Sequence, residues 1–390
     1  MAAKLTALQF FFALTWVVYV IYLPALAEQA GIERRYVPWI LMMDQAIFIA
    51  CDWAAGVYAD RVGRAMARIG VPMAGAALAS CAAFLALPWA APALGALPFV
   101  VLTAFWSVTS SALRAPSLAL VSRHAPAPQQ PRIAAVYLLG LGIATALAPY
   151  AGLALKGVDP RGPFAVASAG VALLAFFLAR AERGFEEPGR GHPAPDARAS
   201  IGAIAAFAAA ALLFSVGFQV HFAINSAPAF ARVAAPEDLP HLMPVFWIGF
   251  NLALWPATLL SRRFGGMPVM TVAGWLGMVA LAGCAVAPSL AGLVAMQLAA
   301  GAAWGITLMA IFTAALEAGR PGHEGLATGV LFSLLAAAAL SRFAAVSTGL
   351  AADPEFSRVL TWLPVWSWAL ASAVVGMLAL RHEPRGSPTT

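Results

Sequence analysis

The chain has 390 residues, of which 62% are hydrophobic and only 10% carry a charged side chain. A water-soluble domain carries roughly 25% charged residues, so this composition excludes a soluble globular fold and points to lipid as the solvent. The formal net charge is +6, but the Lys and Arg residues sit in short clusters between apolar runs, which is a topology signal and not a nucleic-acid patch.

About 20 apolar residues are needed to cross the hydrocarbon of a bilayer. On that rule the first spans fall near 5–27, 37–58, 66–88, 95–121, 133–156 and 163–180. The longest polar stretch, 181–200, follows; it is rich in Pro, Gly and charge, and is a linker too short for a domain. Six further spans lie near 201–224, 243–261, 268–287, 290–316, 326–347 and 360–380. The expected fold is therefore an all-α polytopic membrane protein with twelve transmembrane helices. Its parts are a bundle of six over 1–180, a cytoplasmic linker over 181–200 and a second bundle of six over 201–390. Lys4 and Ala25-Leu26-Ala27 imitate a signal peptide, yet the apolar run is too long for one and further spans follow it. Cys51, Cys81 and Cys284 lie far apart inside apolar runs and read as small hydrophobes, with no disulfide or metal role.

With the N-terminus inside, 15 Lys and Arg residues fall in cytoplasmic segments and 6 on the opposite side, which places both termini and the linker in the cytoplasm. The halves also echo each other. Pro24-Ala25-Leu26-Ala27 is answered by Pro228-Ala229-Phe230-Ala231, Arg61-Val62-Gly63 by Arg263-Phe264-Gly265, and Pro92-Ala93-Leu94 by Pro288-Ser289-Leu290. The order is kept, as in a duplicated six-helix unit.

Between spans two and three the chain reads Gly56-Val57-Tyr58-Ala59-Asp60-Arg61-Val62-Gly63-Arg64. This resembles the G-x-x-x-D-R-x-G-R signature of the major facilitator superfamily, with every signature position matched. The second copy, after span eight, keeps Arg263 and Gly265 and has Arg262 where the acid would stand. Glycines here let helix ends come close, and Asp60 can pair with an arginine or sit at a helix N-terminus, where the helix dipole favours an anion. The resemblance implies a conformational latch of Gly56, Asp60, Arg61, Gly63, Arg64, Arg263 and Gly265 that holds the outward-facing state. In span five, Ala135, Ala144, Ala148, Pro149 and Gly152 match the spacing of the family's antiporter motif, with alanines in place of its earlier glycines.

A charge inside the membrane costs roughly 2.5–3.5 kcal/mol on the insertion scale, so the few present are candidates for mechanism. Asp44 lies within span two, about two turns from its outer end, where a carboxyl group can take up and release a proton as access alternates. Asp52, Gly56 and Asp60 share one helical stripe, which assigns Asp52 to the latch, with proton coupling as the alternative. Arg114 in span four, where proton-exchanging members of the family often carry an arginine, is a candidate to tune a nearby acid or hold an anion. His221 and Asn225, spaced i and i+4 beside Phe218, fit a substrate wall of polar donors and aromatic rings. Trp16, Tyr19, Asn251, Gln297, Trp304 and Arg342 complete the cavity candidates.

The sequence contains no G-x-x-x-x-G-K-[ST] loop, no H-E-x-x-H and no G-x-S-x-G, so neither direct ATP drive nor an intramembrane enzyme is expected. The reading is a monomeric secondary transporter in the inner membrane, without cofactor or metal. It uses protons to export a small organic compound, or alternatively imports a small organic solute or anion.

Overall fold

The computed structural model describes residues 2–66, 70–123, 129–182, 201–318 and 323–382. Among these residues there are no strands, and twelve helices are long and apolar enough to cross a membrane. They are α1 (Ala3–Gln29), α2 (Arg34–Val62), α3 (Gly70–Leu94), α4 (Ala96–Ala119), α5 (Gln130–Ala154) and α6 (Arg161–Arg180). The second set is α7 (Ile201–Ala231), α8 (Pro236–Phe264), α9 (Gly266–Val286), α10 (Leu290–Leu316), α11 (Glu324–Ser347) and α12 (Pro354–Arg381). The all-α, twelve-helix expectation holds. Most of the proposed linker, 183–200, lies outside the described residues.

Several ends differ from the hydropathy reading, for identifiable reasons. Helix α3 runs on to Leu94 with Pro88 and Pro92 inside it. Proline is tolerated there because neighbouring helices cover the freed backbone. The first described residue of α3 is Gly70, and Met66, the expected start, still belongs to the preceding helix. Helix α7 continues past 224 through a π turn at His221–Asn225 to Ala231. Helix α12 begins at Pro354 with Glu355 in its first turn, because a helix end at the interface takes charge that a hydropathy window rejects.

Within the first set, α1 packs on α5 and α6, α3 on α4 and α6, and α2 on α4; within the second, α8 and α9 pack on α10, and α7 and α9 on α12. The two sets meet along α2–α11 and α5–α8, with α4–α11 and α5–α10 adding contacts. One core cluster runs across this junction, from Leu113, Ala115 and Tyr137 to Phe312, Leu331 and Phe332. A second, around Tyr19, Phe84 and Trp106, fills the opposite end of the first set.

Backbone approach sets the tightest seams. A Cβ at Gly249 would strike the Leu298 carbonyl oxygen, and one at Gly301 would strike that of Phe246, so α8 and α10 touch backbone to backbone. The α8–α9 turn needs Gly265 at φ 85°, a left-handed conformation that side chains resist. Without a hydrophobic drive between helices in lipid, such close packing is a main source of association.

Candidate functional site

The face of α2 that carries residues 44, 48, 52, 56 and 60 is the spine of the site, because a four-residue step keeps side chains on one side of a helix. From one end to the other, this stripe meets three different environments.

At the end bearing the α2–α3 and α10–α11 connections, Asp60 is buried. It accepts the backbone N–H of Gly325 at 2.7 Å on one oxygen and that of Leu326 at 2.8 Å on the other. These are orphan donors in the first turn of α11, where a carboxylate satisfies them and the positive helix end favours it. The cap therefore joins the two helix sets. Glycine makes it possible: a Cβ on Gly56 would collide with the Gly325 carbonyl oxygen, and one on Gly329 would crowd the Asp52 carbonyl at 2.7 Å. Thr328 adds a hydrogen bond to the Ala115 carbonyl of α4 at 3.3 Å.

Of the other latch candidates, Arg61 is exposed with no partner among the described residues. The surroundings of Gly63 and the side chain of Arg64 are not described, although α-helix continues to Met66. Arg263 is exposed and lies over the Phe264 ring at 5.1 Å; among the described residues it has no partner across the junction, and Gly265 serves the turn.

Further along the stripe, the Asp52 side chain meets α4 and takes no part in the cap on α11. Its Oδ2 lies 2.9 Å from the Arg114 guanidinium of α4, while Asp60 faces α11. Two acids on one stripe sit at different depths, and each meets a different helix. Arg114 lies between two rings, 4.7 Å from Phe48 of α2 and 5.0 Å from Phe332 of α11. An ion pair and a cation–π clamp therefore meet where the helix sets touch. Removing one charge of a buried pair costs about 3–5 kcal/mol because the other is stranded. Arg114→Gln alone is thus expected to lower thermal stability sharply, and Arg114→Gln with Asp52→Asn to recover most of it. A double variant as unstable as the single one, in a detergent melting assay, would show that the pair is not the interaction lost.

At the next rung Asp44 is fully buried. It accepts hydrogen bonds from Tyr19 Oη at 2.8 Å and Ser107 Oγ at 2.7 Å, and no cationic partner is found among the described residues. Rings enclose it: Trp106 lies 4.7 Å from Tyr19 and stacks on Trp16 at 6.2 Å, with Phe48 5.9 Å from Trp16. Of these, Phe48, Trp106 and Ser107 were not singled out from sequence. The cluster of hydroxyl residues at Ser107, Thr109, Ser110 and Ser111 inside an apolar span was the available signal.

The second helix set holds the remaining candidates. Phe218 stacks on Trp304 at 4.5 Å with rings 10° from parallel, beside Phe246 and Trp247. His221 Nε2 and Gln297 Oε1 are 3.1 Å apart. The Gln297 amide donates to Ser226 Oγ at 3.1 Å, and that hydroxyl donates to the His221 carbonyl at 3.0 Å. The π turn spreads the pair that α geometry would align: His221 turns to α10, whereas Asn225 donates to the Leu360 carbonyl of α12 at 2.8 Å. Both border a cavity of about 140 Å³ that Arg232, Ser357 and Thr361 also line. Asn251 donates to the Trp247 carbonyl at 2.8 Å, and its oxygen would meet any Cβ on Gly142 of α5.

In α5 the antiporter-like residues separate. Ala144 is buried, Ala148 and Pro149 are half-buried, and a Cβ on Gly152 would meet nothing. The close approaches lie at Gly140, against the Thr6 carbonyl of α1, and at Gly142. Arg342 of α11 has no acid partner among the described residues and lies over Phe343 at 4.3 Å. No cluster of metal-binding side chains occurs among the described residues.

A family model described as Major Facilitator Superfamily matches residues 5–345. No curated protein matches the chain. Among solved structures it is similar to the human organic anion transporter MFSD10 (TETRAN), at 14% identity and a TM-score of 0.75, over 97% of this chain and 98% of that one. It is similar to a bacterial homologue of the iron transporter ferroportin in the outward-facing state, at 14% identity and a TM-score of 0.77, over 97% and 99%. A third is the E. coli fucose:proton symporter FucP, at 13% identity and a TM-score of 0.68, over 96% and 98%. At such identities the likeness is one of fold.

Proposed function

The chain belongs to the major facilitator superfamily, a family of multi-pass membrane transporters of small solutes, and from that premise we propose that it couples proton movement to the export of a small organic compound by alternating access. The observation that carries the coupling is Asp44: an acid sealed in the first helix set, held by two hydroxyl groups and compensated by no cation. A carboxyl group so placed is the one group of this set suited to carry a proton through the cycle. Its proton would be exchanged when the passage opens to water on one side and then the other.

The cap of Asp60 on α11 supports the alternation. It holds the helix sets together at one end and must break for that end to open. The proposed topology puts that end, both termini and residues 181–200 in the cytoplasm of a cell whose inner membrane houses the protein as a monomer. The bundles would be 1–180 and 201–390. Export as the direction draws on the spacing of Ala135, Ala144, Ala148, Pro149 and Gly152 in α5.

The test is a reconstituted one. A thermal-shift screen of metabolites and drugs finds the solute, since a ligand that binds the folded state raises its melting temperature. Proteoliposomes are then loaded with an imposed pH gradient. Solute accumulating on the acidic side supports coupled export; movement indifferent to the gradient refutes it.

A further inference from the structure

We infer that the solute is an organic anion, and that Arg342 is the residue that selects it. The inference rests on the reading of the passage between the helix sets as the solute route.

Position comes first. Helices α2 and α11 run antiparallel in contact: Ser333 Oγ donates to the Ile49 carbonyl at 2.7 Å, and Ser347 Oγ lies 3.0 Å from Met42 Sδ. Arg342 falls between these rungs, on the other side of the junction. It is surrounded by protein yet not sealed, since the side chain keeps some contact with open space.

Charge comes second. Among the described residues the other acids and bases named inside the helix sets are accounted for: Asp52 and Arg114 pair with each other, Asp60 caps α11, and Asp44 is held by Tyr19 and Ser107. Arg342 has a buried Nε with no hydrogen-bond partner, and its one contact of note is the ring of Phe343. A guanidinium has five N–H donors and no acceptor, so a neutral, acceptor-poor solute would leave it stranded.

The third observation is independent. Trp247 Nε1 on α8 and Trp304 Nε1 on α10 are also buried without partners. Indole nitrogen only donates. Among the described residues, the unfilled groups on α8, α10 and α11 are the donors of Trp247, Trp304 and Arg342, one acceptor, Asn251 Oδ1, and the hydroxyls of Ser261 and Thr307, which can do either; donors outnumber acceptors, beside the aromatic wall of Phe218 and Phe246. A carboxylate or similar oxyanion on an apolar body satisfies both: oxygens to the donors, body to the rings.

The experiment is a melting-temperature titration of the purified protein with a matched library of aliphatic and aromatic carboxylates, their primary amides and the corresponding amines. Carboxylates are expected to stabilise the wild-type protein and the amides and amines not to. In Arg342→Gln the best carboxylate should bind roughly tenfold to hundredfold more weakly, the usual weight of a lost charged hydrogen bond, while Arg342→Lys keeps part of the affinity and shows that the site still folds. Stabilisation by amides or amines alone, no carboxylate effect, or undiminished carboxylate binding to Arg342→Gln would overturn the inference. Carboxylate binding without gradient-driven movement would defeat the coupling proposal and leave this one standing. Gradient-driven movement of a neutral solute would do the reverse.

Discussion

Asp44→Asn is expected to abolish accumulation driven by a pH gradient while exchange of solute across vesicles without a gradient continues. The amide keeps the size of the carboxyl group: its oxygen accepts from one of the two hydroxyls of Tyr19 and Ser107, and its NH2 donates to the other, which turns to accept, so packing around α1, α2 and α4 is preserved. What it removes is the ability to carry a proton. With one proton per solute, a gradient of two pH units sustains a concentration ratio of about a hundredfold, because each unit is worth about 1.4 kcal/mol. The variant should fall from that ratio to unity, with a melting temperature close to that of the parent. Retained accumulation would move the coupling site elsewhere, Asp52 being next in line.

The second large effect is expected at the cap. Asp60→Asn loses the negative charge and one of two strong acceptors, leaving a donor among N–H groups at the start of α11. Hydrogen bonds to a charged group contribute about 1.5–3 kcal/mol. The equilibrium between the closed and open forms of that end should therefore shift by roughly tenfold to hundredfold. Transport should fall steeply while the dissociation constant for solute, measured by thermal shift, changes only severalfold. Gly56→Ala attacks the same closure by steric means, since its methyl group meets the Gly325 carbonyl. It should reproduce the Asp60→Asn phenotype, and the double variant should add little to either. A defect confined to solute affinity would contradict the latch.

Much of this was legible in the amino-acid sequence, and the reasons are physical. Twelve apolar runs spaced by short basic turns admit few folds, because lipid satisfies no backbone groups. Asp44 stood out because charge in an apolar run is expensive. Its partners did not, since Tyr19 and Ser107 become neighbours only when α1 and α4 pack on α2. Asp52 shows the limit of reading a stripe. Helical spacing put it in line with Asp60, but its partner, Arg114, is 62 residues away on another helix, and spacing carries no information about which helix is opposite. His221 and Asn225 show a second limit. The i, i+4 rule assumes α geometry, and the π turn at His221–Asn225 sends them to different helices. In α5 the matched motif pointed to Gly152, whereas the close contacts fall at Gly140 and Gly142, set by where α1 and α8 happen to cross.

The central claim is that the two helix sets rock about the passage and that the Asp60 cap governs one end. The direct measurement is a pulsed-EPR distance distribution between labels at Val71 and Phe264. Both are exposed and lie at the capped end in different sets; Cys51, Cys81 and Cys284 would first be replaced. Two populations are predicted for the parent protein, with the longer separation dominant in Asp60→Asn and their ratio shifted by bound solute. A single distance, unmoved by solute and by Asp60→Asn, would contradict the account.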